Sequence, residues 1–191
     1  MSFDRAALAI CACVATGALS QAVADAQPAD LASRIARLRV GMWVRVEGHG
    51  SSDRVLEAAR LRVFNGERDE VEVETEVAAL DLVRMTLETP LGLRVVATAT
   101  TEWEGPGQQR HVGLAGVAVG DRIEVEGRLD SDGSLRAEKI DIEKRKRPEP
   151  VSENEHKLTA RIDSIDATGQ RIAVLGLPVQ LRPTTRISLP D

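Results

Sequence analysis

From Val40 onward, most of the chain alternates apolar and polar residues with a period of two. Glu70-Val71-Glu72-Val73-Glu74 and Ile123-Glu124-Val125-Glu126 each put apolar side chains on one face and carboxylates on the other. Successive side chains of a strand point to opposite faces, so the pattern predicts half-buried antiparallel strands with one wet face. Asn65-Gly66, Asp132-Gly133 and Thr168-Gly169 supply turn signals between such runs.

The alternation repeats itself. Val40-Gly41-Met42-Trp43-Val44-Arg45-Val46-Glu47-Gly48 returns as Val119-Gly120-Asp121-Arg122-Ile123-Glu124-Val125-Glu126-Gly127, and the match runs on without a gap to Leu61 and Val63 against Ile140 and Ile142. Inside each copy the apolar phase changes, between Ala58 and Leu61 and between Ala137 and Ile140. A period-two strand absorbs that change through one extra residue, so bulges are expected near Ala59-Arg60 and Glu138-Lys139. A weaker repeat relates Val77-Ala78-Ala79-Leu80-Asp81 to Ile162-Asp163-Ser164-Ile165-Asp166, Leu93–Ala97 to Leu177–Leu181, and Thr100-Thr101 to Thr184-Thr185. Pro178 predicts an edge position or the first residue of a strand.

The order of these units organises the chain. A strand pair (Val40–Val63) comes first, then a three-strand unit (Glu70–Trp103), a second strand pair (Val119–Ile142) and a second three-strand unit (His156–Ile187). The middle two make one complete set. The outer two are half sets that complete each other if the chain ends meet. Between them, Asp30–Leu38 carries Leu31, Ile35 and Leu38 at helical spacing, with Asp30 as N-cap. The expectation is an all-β protein of two similar barrels, each of five strands. One is continuous over 70–143. The other is permuted, built from 27–63 plus 156–191. The segment 144–155, opening on Lys144-Arg145-Lys146-Arg147-Pro148, reads as a linker.

The first 26 residues stand apart. Ala6–Leu19 is a short apolar run followed by Ala22-Val23-Ala24 and Ala24-Asp25-Ala26, small-x-small cleavage sites, so 1–26 reads as a signal peptide for export to the periplasm or beyond. Cys11 and Cys13 leave with it, so the mature chain is expected to hold no disulfide or thiol ligand. No transmembrane segment is expected in the mature part. A formal net charge of −5 with mixed signs gives no footprint for nucleic acid. Trp43, Phe64 and Trp103 are too few aromatics for a stacking platform.

Candidate chemistry is sparse. His49, His111 and His156 fall in different units without ligand spacing, and read as solvated loop or strand-end residues. No serine lies in a nucleophile elbow, and no cofactor or catalytic residue is expected. Glu70, Glu72, Glu74 and Glu76 share one strand face. Carboxylates in that row suit a hard cation such as calcium, or else form a solvated face paired across strands with arginines such as Arg94. Trp43 alternates with Val44 and Val46, so it either points outward as a binding anchor or covers an interface between the barrels. Trp103 is the other candidate anchor.

The segments Val119–Gly127 and Leu135-Arg136-Ala137-Glu138-Lys139-Ile140 resemble the carboxyl half of a bacterial domain-of-unknown-function family, number 5666. Ile172–Val179 with Thr184-Thr185-Arg186-Ile187 resembles its amino half. The resemblance implies an exported protein with OB-like five-stranded barrels, and it brings no catalytic residues. The resulting expectation is a non-catalytic binding or scaffolding protein of the bacterial envelope, contacting an envelope protein or polymer. The alternative is a cation or small-ligand sensor using the acidic strand face. Exchange of terminal half-barrels between chains would give oligomers.

Overall fold

The computed structural model describes residues 27–105, 109–110, 113–143, 155–166 and 170–190. The expected signal segment, His111, most of the linker and the Thr168-Gly169 turn lie outside the described residues. Helix α1 spans Gln27–Ile35. The strands that follow are β1 (Trp43–Gly50), β2 (Leu56–Val63), β3 (Val71–Glu76), β4 (Ala79–Asp81), β5 (Thr86–Glu88), β6 (Arg94–Val96), β7 (Glu102–Gly105) and β8 (Gln109–Arg110). After a single 3₁₀ turn at Leu114–Gly116 come β9 (Arg122–Leu129), β10 (Leu135–Glu143), β11 (Glu155–Ile165), β12 (Arg171–Val174) and β13 (Leu177–Ser188). The protein is all-β apart from α1 and that turn.

The closed barrel is the permuted one. Strand β1 pairs with β2 and with β11, β2 pairs in parallel with β13, β13 pairs with β12, and β12 returns to β11. The expected meeting of Val40–Val63 with His156–Ile187 is therefore made by two ladders. Read from β11, the ring runs first, second, third, fifth and fourth strand, with its parallel contact between third and fifth. That is the order of an OB-type Greek-key barrel. Val44, Val46, Leu56, Leu61, Leu158, Ile162, Val174, Val179 and Leu181 fill its interior, each almost fully buried. Burying each such side chain contributes about 1.5–3 kcal/mol.

The remaining strands repeat this order. Strand β3 pairs with β9, β9 with β10, β10 in parallel with β6, β6 with β5 and β5 with β4. Strands β3 and β4 are consecutive in the chain and are separated by Val77-Ala78, so strand pairing does not join this set into a second ring. In β11 the corresponding bend is absorbed by a bulge at Asp163. The Asp163 carboxylate accepts a hydrogen bond from the Gly176 N–H at 2.7 Å, in the tight turn between β12 and β13. Ala78 stands at the matching position and has no such group. A second closed barrel, as the repeat implied, is thus not established. The two sets share one sheet through the antiparallel pairing of β3 with β11.

Both expected bulges are present. Gly48 faces Ala58 and Glu47 faces Arg60, leaving Ala59 as the extra residue. Gly127 faces Ala137 and Glu126 faces Lys139, leaving Glu138 extra. A hydroxyl secures each bulge. Thr185 Oγ1 donates to the Ala58 carbonyl at 2.7 Å, and Thr101 Oγ1 donates to the Ala137 carbonyl at 2.8 Å. Both threonines are buried, so Thr185→Val leaves a buried carbonyl without a donor in an unchanged volume. The expected loss is about 2 kcal/mol, read as a lower urea midpoint at constant slope. A midpoint equal to the parent's would mean that the hydroxyl is not what holds the bulge.

Two local expectations are corrected. Helix α1 begins at Gln27, with Pro28 in its first turn where proline is tolerated, so Asp30 lies within the helix and is not its cap. Ile35 and Leu38 are buried as their spacing implied, although Leu38 falls past the helix end. The helix lies near β13, where Arg34 donates to the Ile187 carbonyl at 3.1 Å. Pro178 is the second residue of β13 and not its first, facing Ala173 of β12 just before the pairing with β2 begins at Val179.

Candidate functional site: a charged sheet face

Strands β10, β9, β3, β11, β1 and β2 are successive neighbours, and their outward side chains form cross-strand rows. One row reads Asp141, Glu124, Glu74, Lys157, Glu47, Arg60. The next reads Lys139, Glu126, Glu72, Thr159, Arg45, Arg62. The period-two alternation sends Val73, Val125, Leu158, Val46 and Leu61 inward between these residues, which is why the outward positions are nearly all charged.

The acidic strand is held by cations from its neighbours. Arg45 Nη2 lies 2.7 Å from each oxygen of Glu72, and its Nε donates to Thr159 Oγ1 at 3.0 Å. Glu74 receives Arg122 Nη2 at 2.8 Å and Lys157 Nζ at 2.6 Å. Burial pushes the Glu74 carboxyl up, but the hydrogen bonds from Lys157 and Arg122 together outweigh it and hold the group below its ordinary value. Glu76 is half-buried beside Arg122 in the register, and Glu70 is exposed ahead of β3. Arg94, named from the sequence as a partner for this row, instead pairs with Asp132. Among the described residues, no group of three or more His, Cys, Asp or Glu side chains is placed to hold a metal ion.

Residues 74–141 match the Domain of unknown function (DUF5666). The DUF5666 segment runs from the middle of β3 to Asp141 on β10. It takes in the open strand set and none of the strands of the closed barrel. The related copy at Ile172–Ile187, which resembles the family's amino half, lies outside the match. No curated protein and no solved structure matches the chain. The name DUF5666 therefore brings no reaction or ligand to the charged face.

The two tryptophans are not exposed anchors. Trp43 is 6% exposed, and the Arg161 guanidinium lies 5.4 Å from the centre of its ring. Trp103 is half-buried in β7 and packs against the core. Trp43 sits on the polar parity of β1, so alternation alone suggested exposure. The arginine above it is contributed by β11, far away in sequence.

The histidines divide. His49 is exposed, but His156 is 1% exposed on the inner side of β11, contrary to the solvated reading. Its Nδ1 lies 2.8 Å from Thr75 Oγ1, and its Nε2 has no protein partner among the described residues. Burial, then the positive charge of Arg122 and His49, lowers its pKa to about 4. The signal was available in the sequence, since His156-Lys157-Leu158 alternates in phase with Val71-Glu72-Val73 and puts the imidazole at an apolar position.

Sequence reading also passed over Glu124. Its carboxyl is pushed up by burial and by the neighbouring carboxylates of Glu72, Glu74, Glu126 and Asp141. A polar cleft of about 640 Å³ lies elsewhere, between the β4–β5 hairpin and the Asp132-Gly133 turn. Asp81 in that cleft is engaged by Arg84. Leu82 and Val83 are exposed in the β4–β5 turn. Among the described residues no helix is long and apolar enough to cross a membrane.

Proposed function

We propose that the chain is a non-catalytic binding or scaffolding protein of the bacterial envelope, exported by its first 26 residues and acting through its sheet surface. The observation that carries this reading is the charged face itself. At its centre Arg45, Arg122 and Lys157 fix Glu72 and Glu74, and charged side chains continue outward over six adjoining strands, which makes a broad surface suited to contact. Small-molecule chemistry favours a concave pocket with converging groups. A thiol-free mature chain and the apolar leader support the envelope as its compartment.

Fractionation and intact-mass measurement test the first part. The expected product is an envelope-side chain that begins at Gln27. A full-length chain retained in the cytosol overturns export. For the second part, the mature chain is used as bait against envelope extract. The expected result is a retained envelope protein or polymer that is lost when Glu124 and Glu126 are both changed to lysine. Equal recovery on both baits removes the charged face from the reading.

The cation-sensor alternative makes a contrary forecast. A ligand that binds only the folded state raises its stability. Glu72 and Glu74 are already bound to Arg45, Arg122 and Lys157, so millimolar calcium is expected to leave the melting temperature unchanged. A rise of several degrees would favour the sensor.

A further inference from the structure

At three matching positions the two halves of the shared sheet carry opposite charges, whereas Glu47 and Glu126, and Arg60 and Lys139, keep one sign. Arg45 on β1 occupies the repeat position of Glu124 on β9, and Arg62 on β2 that of Asp141 on β10. Arg186 follows Thr185 on β13 as Glu102 follows Thr101 on β7. These residues lie on the outer side. Arg186 is register partner to Arg60, and Glu102 to Lys139. The β3–β11 pairing, with Val73 opposite Leu158, runs down the middle of the face. One flank, built by β7, β10 and β9, is therefore acidic. The other, built by β1, β2 and β13, is basic.

Each flank holds internal pairs, Arg60 with Glu47 on one and Arg128 with Glu138 on the other, and each keeps charges outside them. Among the described residues Glu124, Glu126 and Asp141 form no ion pair. The ammonium of Lys139 on the same flank is held by Glu104 at 3.2 Å. Glu124 stands directly between Glu74 and Asp141 in the register, and Glu126 stands opposite Glu72. Like charges directly opposite across a ladder destabilise it, and here burial and these carboxylates raise the Glu124 pKa. On the basic flank, among the described residues, Arg62 and Arg186 have no carboxylate within ion-pair distance. Arg62 lies 5.4 Å from the centre of the Phe64 ring.

We infer that this face docks against the same face of a second copy of the chain, acidic flank over basic flank. A partner of one sign satisfies one flank and is repelled by the other. A partner divided in the same way satisfies both, and the chain itself is divided in that way. A twofold axis along the strands, between β3 and β11, exchanges the flanks and gives a self-complementary interface. Complementary charge fixes the register and speeds encounter, and salt weakens it.

The test is the mass of the folded chain in solution by sedimentation and light scattering, between about 0.02 and 0.5 M salt, where the screening length falls from about 20 to about 4 Å. The expected result is a dimer at low salt, with at least tenfold weaker association at high salt. Two variants borrow each flank's residues from the other half. The double variant Arg62→Asp with Arg186→Glu is acidic on both flanks. The double variant Glu124→Arg with Asp141→Arg is basic on both. Each alone is expected to be a monomer with an unchanged circular dichroism spectrum, and an equimolar mixture is expected to restore the dimer. A monomer at every salt concentration overturns the inference. So does a salt-insensitive dimer that survives both reversals, which would point to exchange of terminal strands. Loss of the dimer on changing Lys144–Arg147 to serine also overturns it, by moving the basic partner to that segment.

Discussion

Gly48→Ala is expected to lower the unfolding free energy by about 3 kcal/mol, with a comparable loss for Gly127→Ala. The cause is space and not backbone freedom, because both glycines sit in ordinary extended strand. A Cβ at Gly48 would lie 2.0 Å from the Glu57 carbonyl oxygen and 3.0 Å from the Ala58 Cα. At Gly127 it would lie 2.1 Å from the Arg136 carbonyl oxygen. These are backbone atoms of the bulged partner strand, so no side-chain rotation relieves the contact. The bulge that bends β2 or β10 pushes its carbonyl toward the glycine opposite, and the ladder must open for a methyl group to enter. Urea unfolding reads the loss as a lower midpoint. A midpoint unchanged in both variants would show that the bulged strands yield freely, and that the close approach does not constrain the sheet.

Acid is expected to weaken the fold through His156. The imidazole is neutral in the folded chain down to pH about 4, whereas an exposed histidine takes up a proton near 6.5. As pH falls from 6.5 toward 4, the unfolded chain binds a proton that the folded chain refuses. Stability is therefore full above pH 6.5 and is lost progressively down to about 4, where the folded imidazole also protonates. At about 1.4 kcal/mol per pH unit the loss is roughly 3 kcal/mol. Glu74, held below its ordinary value, adds a loss of the same sign at still lower pH. Glu124, raised, opposes it. His156→Met isolates the histidine, and its stability is expected to be nearly flat between pH 6.5 and 5. Persistence of the parent's slope in that variant would assign the effect to other groups. Titration of the ring by NMR gives the same answer without a substitution, since a midpoint near 6.5 would contradict the burial argument.

The repeats carried most of the fold in readable form. A phase change in an alternating sequence has one inexpensive structural solution, so the bulges at Ala59 and Glu138 followed from local pattern. The half-whole-half order of the units likewise implied that β1 and β2 meet β11 and β13. What the pattern did not carry was contact between residues distant along the chain. Nothing local says that Arg45 reaches Glu72, that Lys157 reaches Glu74, or that Arg161 covers Trp43, because each depends on which strands become neighbours. The acidic row therefore left a cation site open as the lesser reading beside a solvated, cross-strand-paired face. His156 was misjudged for a different reason. Its residue type outweighed its position in the alternation, where every second neighbour is apolar.

The closed ring joins the earliest described strands to the latest, and this sets an order of events. A ribosome delivers β1 and β2 first. Their hairpin then waits, with both outer edges unpaired, while everything from Val63 to Glu155 is made. Strands β3 to β10 can pair among themselves in that interval, but the barrel interior cannot form until β13 arrives. Long-range closure of this kind is slow, and it leaves strand edges open to aggregation. The C-terminal strands thus act as a latch. Until they emerge, the nascent chain is a half-built barrel in need of shelter, and a chaperone that covers the β1–β2 hairpin would matter more to its yield than to its final stability.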